Sequence, residues 1–179
     1  ETRGGATYLY RLEENGSATP LSKVTAPDDA QDDYFGQSIS LSGNLLAVGA
    51  FFADSDGKEN AGAAYLYRVE ENGSTTHLVK LTAPDGAEGD NFGESVSLSG
   101  DLLAVGARWV DLYEQPDAGA VYLYRVENNG SANLLSKVTV PDGLPNAFFG
   151  TSLSQSGDLL AVGATNDVSS WQTRGGATY

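Results

Sequence analysis

A period of 57 residues runs through the whole chain without slipping by a single position. Phe35-Gly36, Phe92-Gly93 and Phe149-Gly150 are spaced by it, and so are the three copies of Leu-Leu-Ala-Val-Gly-Ala at 45–50, 102–107 and 159–164. A third landmark, Gly5-Ala6-Thr7-Tyr8-Leu9-Tyr10-Arg11, returns at 62–68 and 119–125 and begins again at Gly176-Ala177-Thr178-Tyr179. Exact self-similarity at this length is the mark of a duplicated structural unit that stacks on its own copies. It confines the chain to architectures built from one repeating element.

Each unit parses into four short strands. Strand a follows Phe-Gly, as in Ser95-Val96-Ser97-Leu98, where small polar and apolar residues alternate. Strand b, Leu102-Leu103-Ala104-Val105-Gly106-Ala107, is an unbroken apolar run, which predicts burial on both faces. Strand c is Ala120-Val121-Tyr122-Leu123-Tyr124-Arg125, and strand d is Leu135-Ser136-Lys137-Val138-Thr139, closed by Pro141-Asp142. Asn-Gly joins c to d at Asn15-Gly16, Asn72-Gly73 and Asn129-Gly130. As a two-residue type I′ hairpin it would set Tyr65 opposite Lys80 and Tyr67 opposite Leu78, with Tyr8/Lys23 and Tyr122/Lys137 equivalent. The 22 glycines fit such a succession of tight turns. Four antiparallel strands per repeat describe a propeller blade.

The fold class expected is therefore all-β, with tandem four-stranded antiparallel blades of the β-propeller type. Residues 1–33 hold strands c and d of a split blade, 34–90 and 91–147 are complete blades, and 148–179 hold strands a and b with the start of c. Pooled, these make three blades. A propeller needs about four or more, so this chain is not expected to close alone. Thr2-Arg3-Gly4-Gly5-Ala6-Thr7-Tyr8 also matches Thr173 to Tyr179, three units on, which suggests that the triplet is itself a repeat. The first residue is Glu1 rather than Met, as in a mature form or a fragment.

The blade motifs carry a family resemblance. Phe-Gly, then Ser-x-Ser-Leu-Ser-Gly, then Leu-Ala-Val-Gly-Ala, then Gly-Ala-x-Tyr resembles the FG-GAP repeat, which builds the propeller heads of integrin α chains and of many exported microbial proteins. The short Ser-Gly-Asp turn and Lys80-Leu81-Thr82-Ala83-Pro84-Asp85-Gly86 are more similar to the microbial and algal variant. The calcium loop of the integrin-type repeat has no room at Ser42-Gly43-Asn44, Ser99-Gly100-Asp101 or Ser156-Gly157-Asp158, so a site there is not implied. The resemblance implies an extracellular or cell-surface recognition or adhesion module, with no catalytic role.

Charge and composition narrow the partners. With 24 acidic residues against 10 basic, the net charge is −14, which disfavours nucleic acid and anionic membrane surfaces. No apolar run approaches the ~20 residues that span a bilayer. The absence of cysteine removes disulfides, zinc–thiolate sites and cysteine nucleophiles without fixing a compartment. Protein or glycan ligands remain, as do further copies of the chain joined head to tail. An extracellular filament, appendage or coat is the alternative reading.

No catalytic constellation recurs. His77 is the only histidine and has no counterpart in the other units. Ser38, Ser95 and Ser152 lack a Gly-x-Ser-x-Gly elbow and a repeated base, so they read as small residues on a crowded strand. Asp54-Ser55-Asp56-Gly57 has the first half of a calcium loop, making Asp54 and Asp56 the metal-ligand candidates. Further acids crowd ahead of Phe35 (Asp28, Asp29, Asp32, Asp33) and Phe92 (Asp85, Glu88, Asp90), which turn chemistry accounts for. Each Asn-Gly is followed by Ser, so Asn15, Asn72 and Asn129 have the form of N-glycosylation acceptors.

The segments after strand b, 51–61, 108–118 and 165–175, share a length but not a sequence. They carry Phe51, Phe52, Trp109, Tyr113 and Trp171, aromatics that the strands do not require. Variable loops on a fixed scaffold are the expected carriers of recognition.

Overall fold

Strand b is apolar at every position, so it needs cover on both faces, and the fold supplies it by stacking one sheet on the next. The computed structural model describes residues 5–28, 32–113, 115–141 and 144–166, together with the backbone of 177–178. Among these residues there are strands and no helix. Two sheets are complete. One runs β3 (Ser38–Ser42), β4 (Leu45–Ala50), β5 (Ala63–Val69), β6 (Thr75–Leu81), and the other β7 (Ser95–Ser99), β8 (Leu102–Ala107), β9 (Ala120–Val126), β10 (Ala132–Thr139), each antiparallel in chain order. A two-stranded sheet of β1 (Thr7–Leu12) and β2 (Ala18–Val24) precedes them. A three-stranded sheet of β11 (Phe149–Ser156), β12 (Leu159–Ala164) and β13 (Ala177–Thr178) follows. Among the described residues no sheet closes on itself.

Strand pleating divides each complete sheet into two unlike faces. Toward the preceding sheet point Leu46 and Val48 of β4, Tyr65 and Tyr67 of β5, and Phe35 from the Phe-Gly corner, packed with Leu9 and Val24. Toward the following sheet point Ala47, Ala64 and Leu66, which meet Val96, Leu98, Leu103, Val105, Tyr122 and Tyr124. A third apolar layer joins Ala104 and Val121 to Phe149, Val162 and Ala164. The core of this protein is thus a series of layers between sheets. Phe35 meets Tyr65 edge-on at 5.5 Å, and Phe92 meets Tyr122 at 5.3 Å, so one aromatic contact recurs in both sheets.

The Phe-Gly and Val-Gly-Ala motifs belong to one contact. The Gly93 carbonyl approaches Gly49 of the preceding sheet so closely that a Cβ there would lie 1.9 Å from its oxygen, and Gly106 meets Gly150 in the same way at 2.2 Å. Ser38 Oγ donates to Gly93 O at 2.8 Å and Ser95 Oγ to Gly150 O at 2.5 Å. Ser40 and Ser42 extend the seam, accepting from Leu98 N (2.9 Å) and Gly100 N (3.0 Å). The serines of strand a are therefore sheet-to-sheet connectors as well as small residues.

A second, polar tie spans consecutive sheets. Asp28, after β2, accepts from the Tyr65 hydroxyl at 2.9 Å and from Lys80 Nζ at 2.7 Å. Asp85, after β6, repeats this with Tyr122 (2.8 Å) and Lys137 (2.7 Å). Partial burial pushes each carboxyl up, but the lysine and tyrosine hydrogen bonds and the ammonium charge outweigh it and hold both below the ordinary range. Burial first, then the hydrogen bond and charge of the same carboxylate, pushes the Tyr65 and Tyr122 hydroxyls well above theirs.

The hairpins depart from the sequence expectation in two linked respects. Tyr65 faces Lys80, Tyr8 faces Lys23 and Tyr122 faces Lys137, but Tyr67 faces His77 rather than Leu78, because the register shifts between Leu66 and Tyr67. The turn is also not type I′. Gly16, Gly73 and Gly130 have φ of 83°, 83° and 90°, while the preceding asparagines stay outside the left-handed region. Gly73 N donates to Glu70 O and Glu70 N to Ser74 O, which describes a longer loop closed by a left-handed glycine. Asn72 Oδ1 accepts from Ser74 N and Ser74 Oγ instead of occupying a left-handed position.

Two outcomes test these ties. Asp85→Asn should lower stability by about 1 kcal/mol at pH 7, because the pair is partly exposed. A depressed carboxyl stabilises above its unfolded value and loses that contribution as pH falls through its folded value, so the deficit against the parent should vanish in thermal melts toward pH 2. An equal deficit at both pH values would mean that the charge is not involved. Gly106→Ala should cost about 2 kcal/mol in urea unfolding, since the added methyl meets backbone that cannot move aside. A variant as stable as the parent would contradict the close approach.

Candidate functional site

The loop between β4 and β5 and its counterpart between β8 and β9 have the same construction. At each tip is a tight turn, bridged Ser55 to Lys58 in one and Leu112 to Gln115 in the other, with Asp56 (φ 56°) and Tyr113 (φ 53°) in the left-handed region. At each base a carboxylate caps the returning chain: Asp54 Oδ1 accepts from Asn60 N and Asp111 Oδ1 from Asp117 N, both at 2.9 Å. The descending limb then bonds to the next repeat. Glu59, Asn60 and Ala61 carbonyls accept from Gly89, Asn91 and Phe92 amides, and Pro116, Asp117 and Ala118 from Asn146, Phe148 and Phe149. These bonds run through backbone atoms, so loop length is fixed while the side chains are left free to differ.

The structure distributes the expected aromatics into three settings. Phe51 and Phe52 pack together at 4.3 Å and against Tyr34 at 5.4 and 5.2 Å, with Tyr34 half exposed. Trp109 meets Phe148 at 5.0 Å and lies 5.0 Å from the Arg108 guanidinium, whose Nε is 2.9 Å from Glu94 Oε2. Oriented to satisfy both ends, the Asn91 amide donates to Asn60 O and accepts from the Trp109 indole N–H. Trp109 therefore sits in the seam between the two complete sheets and the one that follows. Tyr113 is fully exposed at a loop tip. Trp171 lies outside the described residues, as do Asp29, Asp142 and most of the terminal match.

Beside each loop lies an open, carboxylate-lined depression at corresponding positions. The first, about 660 Å³, is lined by Asp32, Asp33, Asp54, Glu59, Tyr34 and Phe52, with Lys58 among them. The second, about 350 Å³, is lined by Asp85, Glu88, Asp90, Asp111, Asp117 and Trp109, with Lys137 paired to Asp85. Burial, with added repulsion from neighbouring acids, pushes the Asp33, Asp90 and Asp117 carboxyls up, and burial raises Glu94 against the pull of Arg108. A cation over the face of an aromatic ring and beside carboxylates is attracted by both.

The remaining candidates have local roles. Asp56 Oδ2 accepts from Thr82 Oγ1 at 3.2 Å, so one oxygen of each of Asp54 and Asp56 is engaged by the fold, and among the described residues no three Asp, Glu or His side chains come together as a ligand set. Asn15, Asn72 and Asn129 are exposed at the hairpin tips, each accepting the amide of the serine two residues on. His77 is exposed on β6, its ring 5.4 Å from Tyr67. Sequence reasoning did not assign Asp33, Asp90 or Asp111 to the loop site, because their grouping depends on how adjacent sheets meet.

No curated protein matches the chain. The FG-GAP repeat model matches residues 19–67, 75–124 and 133–179. Each match opens on the outermost strand of one sheet and runs into the third strand of the next, spanning the Phe-Gly corner and the seam that it forms. These three matches cover most of the chain, and it belongs to the FG-GAP repeat family.

Proposed function

We propose that this protein is a non-catalytic recognition or adhesion module acting at the cell surface or outside the cell, with the loops after strand b as its contact face. FG-GAP repeats occur in extracellular adhesion and recognition proteins, which supports the general role. The observation that carries the loop assignment is a carboxylate-lined depression at two corresponding seams, with half-exposed Tyr34 beside the first, Trp109 beside the second and fully exposed Tyr113 on the same loop as Trp109. A protein or glycan with a basic group is the partner this surface suits. Asn15, Asn72 and Asn129 stand on the hairpin tips, away from those loops in the sequence, where an attached glycan would leave the contact face open. An extended structural array is the second reading, favoured by sheets that bury their apolar faces only against one another.

An array of defined matrix proteins, glycans and basic peptides tests the assignment. The parent should retain at least one of these at micromolar concentration, and Tyr113→Ala or Phe52→Ala should weaken that binding at least about 10-fold. Tyr113→Ala should do so with an unchanged thermal midpoint, because the side chain is fully exposed. Binding unaffected by either variant, or turnover of any arrayed compound, would overturn the reading.

A further inference from the structure

Asn-Gly-Ser stands at the tip of the c–d hairpin in both complete sheets, at 72–74 and 129–131. In a flexible chain Asn-Gly is prone to lose its side-chain amide, because glycine leaves its backbone nitrogen unobstructed. The reaction is intramolecular. The glycine nitrogen gives up its proton and bonds to the asparagine Cγ, the Cγ–Nδ2 bond breaks and ammonia leaves. Water then opens the five-membered succinimide at either carbonyl, giving aspartate or isoaspartate. No oxidant or cofactor is consumed. Each event adds one negative charge, and isoaspartate adds a carbon to the main chain of the turn.

The structure withholds both reacting groups. Gly73 N donates to Glu70 O and Gly130 N to Glu127 O, both at 2.9 Å, so the nucleophile is held. Asn72 Oδ1 accepts from Ser74 N at 2.9 Å and Ser74 Oγ at 2.7 Å. Asn129 Oδ1 accepts from Ser131 N at 3.0 Å and Ser131 Oγ at 2.8 Å. The amide plane cannot turn its Cγ toward the glycine nitrogen without breaking these bonds. Hydrogen bonds to Oδ1 also draw electrons from Cγ, which alone would favour attack, so the held nitrogen and the fixed plane decide the outcome.

The sheet stacked before each hairpin completes the closure. Asn72 and Asn129 are exposed to water, but Gly73 and Gly130 are buried. A Cβ at Gly73 would lie 2.8 Å from Leu21 Cβ, and one at Gly130 2.9 Å from Leu78 Cδ2, so each turn lies directly beneath a leucine of the preceding sheet. Arg11 Nη2 donates to Glu71 O at 3.2 Å and Arg68 Nη2 to Asn128 O at 3.1 Å, tying the residue before each asparagine to that same sheet. We propose that Asn72 and Asn129 are latent modification sites, closed to succinimide formation by their own turn and by the neighbouring sheet. Ser74 and Ser131 belong to the closure, which gives the serine after Asn-Gly a purpose that needs no attached sugar. A site opened by separation of the sheets is converted irreversibly, and the added main-chain carbon opposes the return of the turn beneath its leucine.

Peptide mapping by mass spectrometry tests this on the 179-residue chain, made without glycosylation and held at mildly alkaline pH. Folded protein should convert Asn72 and Asn129 at least about 10-fold more slowly than the same chain unfolded in guanidinium chloride, because reaction proceeds through the opened fraction. Arg11→Ala should speed Asn72 about 3-fold in the folded protein, the effect of one hydrogen bond, and leave Asn129 unchanged. Arg68→Ala should speed Asn129 likewise. Ser131→Ala, which keeps the amide bond and loses the hydroxyl, should also speed Asn129 relative to its own unfolded rate. Equal rates in folded and unfolded parent would overturn the proposal. So would an Arg11→Ala variant that speeds neither site or both alike, an Arg68→Ala variant without effect on Asn129, or no acceleration in Ser131→Ala. These readouts involve no bound ligand and leave the recognition assignment to its own test.

Discussion

No repeat in this protein has a core of its own. A four-stranded sheet with Leu46, Val48, Tyr65 and Tyr67 on one face and Ala47, Ala64 and Leu66 on the other exposes apolar surface on both sides until neighbours cover it. Burying such side chains is worth roughly 1.5–3 kcal/mol each, which is enough to bind sheets together but is realised only when they stack. The other features of the chain serve that contact. Gly49 and Gly106 remove the methyl groups that would hold the sheets apart, the strand-a serines bond the inner edges, and Asp28 and Asp85 clasp the outer strands. An unvarying period is the consequence, since a one-residue slip would displace several of these contacts at once.

The same constraint explains where variation is allowed. The loops after strand b keep their length because their backbone carbonyls receive the amides that lead into the next Phe-Gly corner. A constant length is therefore a property of the scaffold. What differs between the loops is which side chains point outward: Tyr113 is exposed, Trp109 is drawn into the seam against Phe148, and Phe51 and Phe52 lie between these extremes.

The strands were legible because each has its own periodicity. Leu102-Leu103-Ala104-Val105-Gly106-Ala107 reads as doubly buried and is, and the c–d hairpins stand where Asn-Gly marks them. The hairpin register was only half legible. Asn-Gly suits a type I′ turn, but an Asn followed by Gly and Ser suits equally a turn in which only the glycine is left-handed, and the extra loop residue moves Tyr67 from Leu78 to His77. The clasp could not be read at all. Asp85 meets Tyr122 and Lys137, 37 and 52 residues away, only because consecutive sheets stack with a particular offset. For the same reason the depression around Asp90, Asp111 and Trp109 has no local signature in the sequence.

If stacking is what stabilises the fold, stability should appear only when sheets come in pairs, as nearest-neighbour coupling in repeat proteins requires. The direct measurement is urea unfolding of residues 34–90, a single complete sheet, beside residues 34–147, which contain both. The longer segment should unfold in one cooperative transition. The single sheet should show none, with hydrogen exchange close to that of an unfolded chain. Cooperative unfolding of residues 34–90 alone would contradict the account, since it would place the core within the repeat instead of between repeats.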